Sequence, residues 1–188
     1  MLDIKGKKKS INSLLREDDK TWVISLSNEI GRLEQGIRDV VGNNTINVIQ
    51  NDKVPKGDKV AYANIVCDYR PYKKEKYRAR LTLGGDVLDY DGNASSPAAS
   101  LLEGKLIINS VISDADRGAR FMSTDLKGFS LQLFLEQPEY VRIHGKYILP
   151  EIREKYNIDE LIAKHGYVYC EAIRGMYGLI QAAKLAQD

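Results

Sequence analysis

A cluster of basic side chains between residues 53 and 80 is the part of this sequence best suited to bind an anion. This segment holds nine lysines and arginines against three acidic residues, a net charge of +6, whereas the rest of the chain carries about −4. Within it, Lys76, Arg78 and Arg80 alternate with apolar residues, so the period of a strand places these three cations on one face. A concentrated positive patch is what the binding of nucleic-acid phosphates requires. The alternative is a set of lysines that only solvates or protects the edge of a sheet.

Asp125 is the acidic residue whose position best suits catalysis. It follows the β-like run ARFMST and precedes a turn that contains Gly128, so its carboxylate is expected at the end of a strand. Strand ends often present metal-ligating and catalytic carboxylates, because the backbone there is fixed and accessible to solvent. A turn residue or a helix cap is the alternative role for such an aspartate.

The remaining reactive side chains form no recognisable catalytic pattern. His144 and His165 have no partner at the spacing of a metal site or a catalytic triad, and both are expected on the surface. The sequence contains neither a GxSxG motif nor a P-loop, and the glycines at 84–85 and 175–178 are typical of turns.

Length and composition indicate one globular domain that is able to bury a core. The chain has 188 residues, of which 43% are hydrophobic and 29% charged, and this excludes a wholly disordered protein. Charges interrupt every apolar run, so neither a membrane-spanning segment nor a secretory signal is expected. Cys67 and Cys170 are too few for a disulfide scaffold and lack the CxxC spacing of a zinc site, which predicts a reducing intracellular compartment.

The first half of the chain is expected to contain an arm, a helix and three strands. Residues 1–20 form a charged arm with a short helix near its end. Apolar residues then recur at helical spacing, at Leu26, Ile30, Leu33, Ile37 and Val40, before Gly42 stops the helix. Strands are expected over 45–54, 61–70 and 77–85, and the last two form a hairpin with a basic face.

The second half is expected to alternate helices with further strands. Ser96 as N-cap and Pro97 at the first helical position begin a helix that ends near Gly118. The expected elements that follow are a strand at 119–125, a strand at 138–148, short helices over 150–166, a strand at 166–173, and a terminal turn and helix. Because several strands are consecutive and no βαβ alternation is sustained, the predicted class is α+β with a largely antiparallel sheet.

An ordered series of motifs resembles the reverse transcriptase of copia-type retrotransposon polyproteins. The series is IVCDYRP, KYRARLTLGGDVLDY, SPAASLLEGKLIINSVISDADRGARFMSTDLKGF, EYVRI and GYVYCEAIRGMYGLIQAA. The resemblance covers roughly residues 20–188, and WVISLSNEIGRLEQGIRDV is similar to the segment that leads into that domain. It implies a partial right-hand polymerase, in which residues 1–20 are a charged arm and 21–188 are fingers and an incomplete palm.

The resemblance also implies a reaction and the residues that perform it. A nucleotidyltransferase of this family extends a primer on an RNA or DNA template with deoxynucleoside triphosphates, assisted by two Mg²⁺ ions. Asp125 matches the first metal-binding aspartate, and the carbonyl of Leu126 would add a ligand. The positions that match nucleotide-binding residues of the family are Lys73, Lys74, Arg78, Arg80, Gly128, Phe129, Ser130 and Gln181.

The chain departs from the family pattern at several positions. Ser130 stands where the family has an aromatic residue that blocks the ribose 2′-hydroxyl, and Ile180 replaces a lysine before Gln181. The adjacent aspartate pair of the family is expected beyond residue 188, so the isolated chain is expected to be inactive. The alternative function is a non-catalytic nucleic-acid-binding remnant of the same domain.

The resemblance sets the expected partners and compartment. The partners are a template with its primer, deoxynucleoside triphosphates and the remainder of the Pol polyprotein, with no membrane. The expected compartment is the cytoplasm or a virus-like particle, followed by the nucleus.

Overall fold

The computed structural model shows a mixed α+β protein whose centre is a five-stranded sheet. It describes residues 10–16, 20–92, 99–124, 126 and 128–185. The α-helices in these ranges are α1 (Ile11–Leu14), α2 (Thr21–Leu33), α3 (Leu101–Ser113), α4 (Pro150–Lys155) and α5 (Ala182–Leu185). The strands are β1 (Gly36–Ile37), β2 (Val40–Val41), β3 (Ile46–Ile49), β4 (Val60–Tyr69), β5 (Tyr77–Leu83), β6 (Phe134–His144) and β7 (Tyr167–Arg174).

The large sheet has the order β3-β7-β6-β4-β5 and is mostly antiparallel, which confirms the predicted α+β class. Only the β4–β6 contact is parallel, and the other three pairings are antiparallel. Along β4, Ile65 and Cys67 are buried, whereas Val66 and Asp68 are exposed, as the alternation predicts. The predicted β4–β5 hairpin forms, and its register places Arg80 opposite Val66 and Arg78 opposite Asp68.

Helix α2 lies along the edge of β5 and is shorter than predicted. The Ser25 hydroxyl accepts a hydrogen bond from the Ala79 amide at 2.8 Å and donates one to the Tyr77 carbonyl at 3.1 Å, so this helix covers the edge of the sheet. The apolar stripe predicted a helix as far as Val40, but α2 ends at Leu33. The cause is Gly36, whose φ of +101° lies in the left-handed region and leads the chain into the tight β1–β2 hairpin.

The segment from Ser100 to residue 124 differs most from the prediction. Helix α3 begins at Leu101 with Ser100 as its cap, in a capping box with Glu103, whereas the predicted cap at Ser96 and Pro97 lies outside the described residues. None of its residues is buried. The strand predicted over 119–125 is absent from 119–124, where Met122 is 84% exposed and no strand is available to pair with the backbone.

The C-terminal elements follow the predicted order. Strand β6 begins earlier than predicted, because Pro138 is accommodated in a register shift between Phe134 and Glu139. Helix α4 begins at Pro150 and a 3₁₀ turn follows it, and Gly166, with a φ of +84°, leads into β7. None of the helices in the described ranges has the length and apolar character that crossing a bilayer demands.

Candidate functional site

An open cleft of about 800 Å³ lies beside the β4–β5 hairpin and is rich in cations. Three parts of the chain line it: the hairpin and its connection (70–80), Leu126 with the turn at 128–130, and the segment 176–182 before and at the start of α5. Its charged lining residues are Arg70, Lys73, Lys74, Arg78, Arg80 and Glu75. We call this surface the basic cleft. Among the described lining residues, five cations against one carboxylate give the cleft a positive field suited to anions.

The basic cleft brings together most of the nucleotide-binding positions predicted from the sequence. The predicted residues that line it are Lys73, Lys74, Arg78, Arg80, Leu126, Gly128, Phe129 and Ser130. These come from two segments separated by helix α3, so their meeting depends on the folded sheet. The predicted basic face is therefore adjacent in space to residues 128–130 of the second motif.

The turn in the sequence GMYGL connects the walls of the cleft. The Leu83 amide donates to the Tyr177 carbonyl at 2.7 Å, and the Gly175 amide donates to the Leu133 carbonyl at 2.8 Å. Gly178 has a φ of +94°, and a Cβ there would overlap the Leu83 carbonyl oxygen. The close approach of this turn to the end of β5 therefore requires glycine.

Arg80 is the cation most openly presented by β5. Its side chain is exposed, and its guanidinium carbon lies 5.6 Å from the centre of the Tyr177 ring. This cation–π contact orients Arg80 along the wall of the cleft without neutralising its charge. Lys73 and Lys74 are also exposed, at the tip of the hairpin.

Arg78 is buried, whereas Lys76 and Arg80, which were predicted on the same face of the strand, are exposed. It is 7% exposed, and its Nη1 donates to Glu75 Oε2 at 2.7 Å while its Nη2 lies 3.2 Å from Glu29 Oε2. The helix α2 that covers the edge of β5 brings the Glu29 carboxylate to this arginine. Arg78 therefore reaches the cleft as part of a paired network rather than as a free cation.

Three arginines and two glutamates form a continuous arginine–glutamate network at one wall of the cleft. Besides Arg78, Glu75 contacts Arg70 at 3.2 Å and Arg32 at 3.7 Å, and Glu29 contacts Arg32 at 2.5 Å. Burial on its own would raise the pKa of Glu75, but the guanidiniums of Arg78, Arg32 and Arg70 hold it below its usual value. Glu75 therefore stays ionised at neutral pH, and the three guanidiniums still outnumber the two carboxylates of the network.

Leu126 and the turn at 128–130 use some of their polar groups in a contact with each other. The Phe129 amide, predicted to meet a triphosphate, donates to the Leu126 carbonyl, predicted as a metal ligand, at 3.3 Å. Gly128 has a φ of +63°, and Ser130 begins a 3₁₀ turn. In this structure the Phe129 amide is thus engaged within the turn instead of pointing freely into the cleft.

Asp125 lies outside the described residues, as does Lys127. Elsewhere in the described ranges, histidine, cysteine, aspartate and glutamate side chains form no group of three or more suited to a metal ion. Glu75, the carboxylate of the basic cleft, is compensated by arginines and does not fit as a magnesium ligand. The described side chains therefore do not make a Mg²⁺ site on their own.

Gln181 lies apart from the other predicted nucleotide-binding residues. Its Nε2 donates to Glu139 Oε1 at 2.8 Å, and it lines a second cavity together with Asp89 and Asp91. The neighbouring Ala182 lines the basic cleft instead. The structure therefore places Gln181 among acidic side chains.

Sequence reasoning missed Glu29 and Tyr177 as parts of the site. Glu29 falls on the buried stripe of α2 between Leu26 and Leu33, and a carboxylate at such a position signals a buried cationic partner.

The two histidines were expected on the surface. His165 is exposed, whereas His144 is half-buried with its ring centre 4.9 Å from that of Tyr167.

No protein-family model, no curated protein and no solved structure with which this chain was compared matches it.

Proposed function

We propose that the basic cleft binds the phosphates of a nucleic acid or a nucleoside triphosphate, as part of a copia-type reverse transcriptase. The observation that carries this proposal is the meeting of two motif segments, 73–80 and 128–130, around one cationic cleft. Phosphate recognition depends on Lys and Arg side chains presented together, and five of them line this surface.

Within this proposal the lining residues have different tasks. Arg80, Lys73 and Lys74 are exposed and supply the attractive charge for an incoming polyanion. Arg78 is held by its glutamates and gives the wall a fixed guanidinium. Asp125 and its metal ions belong to the catalytic part of the proposal, which rests on the resemblance.

The experiment that tests the binding proposal measures the affinity for a labelled primer–template duplex by fluorescence anisotropy at several salt concentrations. Binding is expected to weaken steeply with salt, because each neutralised phosphate releases counterions. Arg80→Ala is expected to reduce the slope of log affinity against log salt by about one.

Arg142→Ala is the matched control for this experiment. Arg142 is also an exposed arginine placed over a tyrosine, 5.3 Å from the centre of the Tyr167 ring, but it lies outside the basic cleft. Its variant is expected to keep the slope of the unaltered protein. Equal losses in both variants, or no binding at low salt, would contradict the proposal.

The non-catalytic alternative predicts the same binding without polymerisation. It is favoured by the pairing of Arg78 with Glu75, which forms a cationic wall without a catalytic group. An assay of Mg²⁺-dependent primer extension separates the enzyme from the non-catalytic remnant. The protein assayed is this segment joined to a region that supplies the family's aspartate pair. Extension that Asp125→Asn abolishes supports the enzyme, whereas binding without extension supports the remnant.

A further inference from the structure

Glu75 is the acidic residue among the described residues that line the basic cleft, and its carboxylate contacts the arginines that an anionic ligand would use. Its oxygens contact three guanidiniums, at 2.7 Å for Arg78, 3.2 Å for Arg70 and 3.7 Å for Arg32. A phosphate oxygen that binds to these arginines needs the same donors. The carboxylate and such a ligand therefore exclude each other.

We propose that the Glu75 carboxylate is an internal competitor that occupies the arginines of the basic cleft and lowers their affinity for phosphate. This inference rests on the proposed function of the cleft and adds the residue that sets its affinity. A polyanion binds by displacing the Glu75 side chain from Arg70 and Arg78.

The exposure of the two glutamates shows which one can move. The Glu75 side chain is 38% exposed, whereas that of Glu29 is 1% exposed, fixed beneath α2. Glu75 lies on the connection of the hairpin and can turn toward solvent, where its charge is hydrated. Displacing Glu29 would instead break its buried ion pair with Arg78 and leave two uncompensated charges in the interior.

Both arginines stay oriented when the Glu75 carboxylate leaves. Nη2 of Arg78 retains Glu29 Oε2 at 3.2 Å, and Nη2 of Arg70 donates to the backbone carbonyl of Glu75 at 3.0 Å. That carbonyl does not depend on the side chain. Loss of the Glu75 charge therefore removes the competitor but keeps the contacts that orient the guanidiniums of Arg70 and Arg78.

A polyphosphate offers these two arginines more than the carboxylate does. Their Nε atoms are buried, so an incoming ligand uses the Nη groups that now face Glu75. A guanidinium presents five N–H groups, and a carboxylate of one charge uses only part of this capacity. A polyphosphate brings more oxygens and more charge to the same donors, which allows it to replace the carboxylate.

The test is calorimetric titration of the protein with inorganic tripolyphosphate, with Glu75→Gln as the main variant. This variant keeps the size of the side chain and removes its charge. We expect it to bind tripolyphosphate about tenfold more tightly than the unaltered protein, a change of about 1.4 kcal/mol.

Glu151→Gln is the control for the change in net charge. Glu151 is also an exposed glutamate paired with an arginine, accepting from Arg38 Nε at 3.1 Å, and it does not line the basic cleft. Its variant is expected to bind tripolyphosphate as the unaltered protein does. An equal gain in both variants would overturn the proposal, because the gain would then come from net charge alone.

Glu75→Asp keeps the charge but shortens the side chain by one methylene group, so its carboxylate cannot reach all three arginines. We expect an affinity between those of the unaltered protein and Glu75→Gln. This variant decides the matter if Glu75→Gln does not fold: a gain supports the competitor, and an unchanged affinity overturns it.

The possible results separate this inference from the proposed function. If the unaltered protein binds tripolyphosphate and Glu75→Gln binds it equally or more weakly, the proposal that Glu75 competes is overturned, while the cleft remains a phosphate site. Binding by Glu75→Gln alone supports the competitor. If neither binds, both the competitor and the phosphate site are overturned.

Discussion

Nη2 of Arg78 lies 3.2 Å from Oε2 of Glu29, and the two side chains are only 8% and 1% exposed. This ion pair joins helix α2 to strand β5 at the wall of the basic cleft. Removing one member of a buried pair leaves the other as an uncompensated charge, which costs far more than the loss of a surface contact. The pair is therefore part of both the stability and the binding surface of the protein.

Glu29→Gln is expected to lower the free energy of unfolding by about 3 kcal/mol, because Arg78 and Arg32 lose a buried counter-charge. Urea denaturation followed by circular dichroism measures this change. Glu160→Gln, at an exposed position, is the control and is expected to change stability by no more than about 0.5 kcal/mol. A Glu29→Gln variant as stable as this control would contradict the structural role of the pair.

Stability is expected to fall as the pH rises from about 4.5 to 7, because of Glu34. Burial raises the pKa of Glu34 to about 7 against 4.5 in the unfolded chain, although a hydrogen bond from the Val48 backbone lowers it in part. The folded state thus binds more protons than the unfolded state within this window, so the free energy of unfolding decreases with pH, by an amount on the order of 3 kcal/mol.

The measurement is urea denaturation at pH 5 and pH 8, with Glu34→Gln as the test variant. A neutral glutamine removes the contribution of Glu34 to the pH dependence, so this variant is expected to lose less stability between the two pH values than the unaltered protein. Glu160→Gln is expected to keep the original dependence. Identical pH dependence in Glu34→Gln and the unaltered protein would contradict the buried carboxyl.

Gly178→Ala is expected to destabilise the fold more than Gly57→Ala. Both glycines have a left-handed backbone, with φ of +94° and +104°, so the conformation alone costs each alanine variant about 1–2 kcal/mol of stability. A Cβ at Gly57 meets nothing within 4 Å, whereas one at Gly178 overlaps the Leu83 carbonyl oxygen. The difference between their melting temperatures measures how closely the GMYGL turn contacts β5, and equal shifts would contradict that contact.

Both cysteines are expected to resist a thiol reagent in the native protein. Burial raises the pKa of Cys67 to about 11, and burial with the nearby charge of Glu34 raises the pKa of Cys170 as well. Since the thiolate is the reactive form, Ellman's reagent is expected to label neither thiol until denaturant is added, and both afterwards. Fast labelling of either thiol in buffer would contradict the buried positions.

The periodicity of the sequence predicted the elements whose neighbours are local. Strands β4, β5 and β7 and the β4–β5 hairpin appear at the predicted places, because their alternation and their flanking turn residues are strong signals. Helix α2 was predicted too long, since Ile37 and Val40 continue its spacing while Gly36 reverses the chain. The spacing of apolar residues gives no signal for a single residue with a positive φ.

The candidate site was predictable as a set of residues but not as a network. Charge segregation identified Arg78 and Arg80, and the structure places both at one cleft. The burial of Arg78 depends on Glu29, a residue 49 positions away along the chain, on a helix whose docking against β5 no local pattern encodes. Likewise, the run 119–124 has β-forming residues but no strand beside it.

The pairing of β3 with β7 has a consequence for the synthesis of the protein. Residues 46–49 pair with 169–172, and no other strand in the described part of the chain lies beside β3 in the large sheet. More than a hundred residues must therefore be synthesised after β3 before this edge can close, and Ile46 and Val48 stay unpaired until then. We expect a nascent polypeptide that ends before β7 to leave this strand unpaired and to be prone to aggregate.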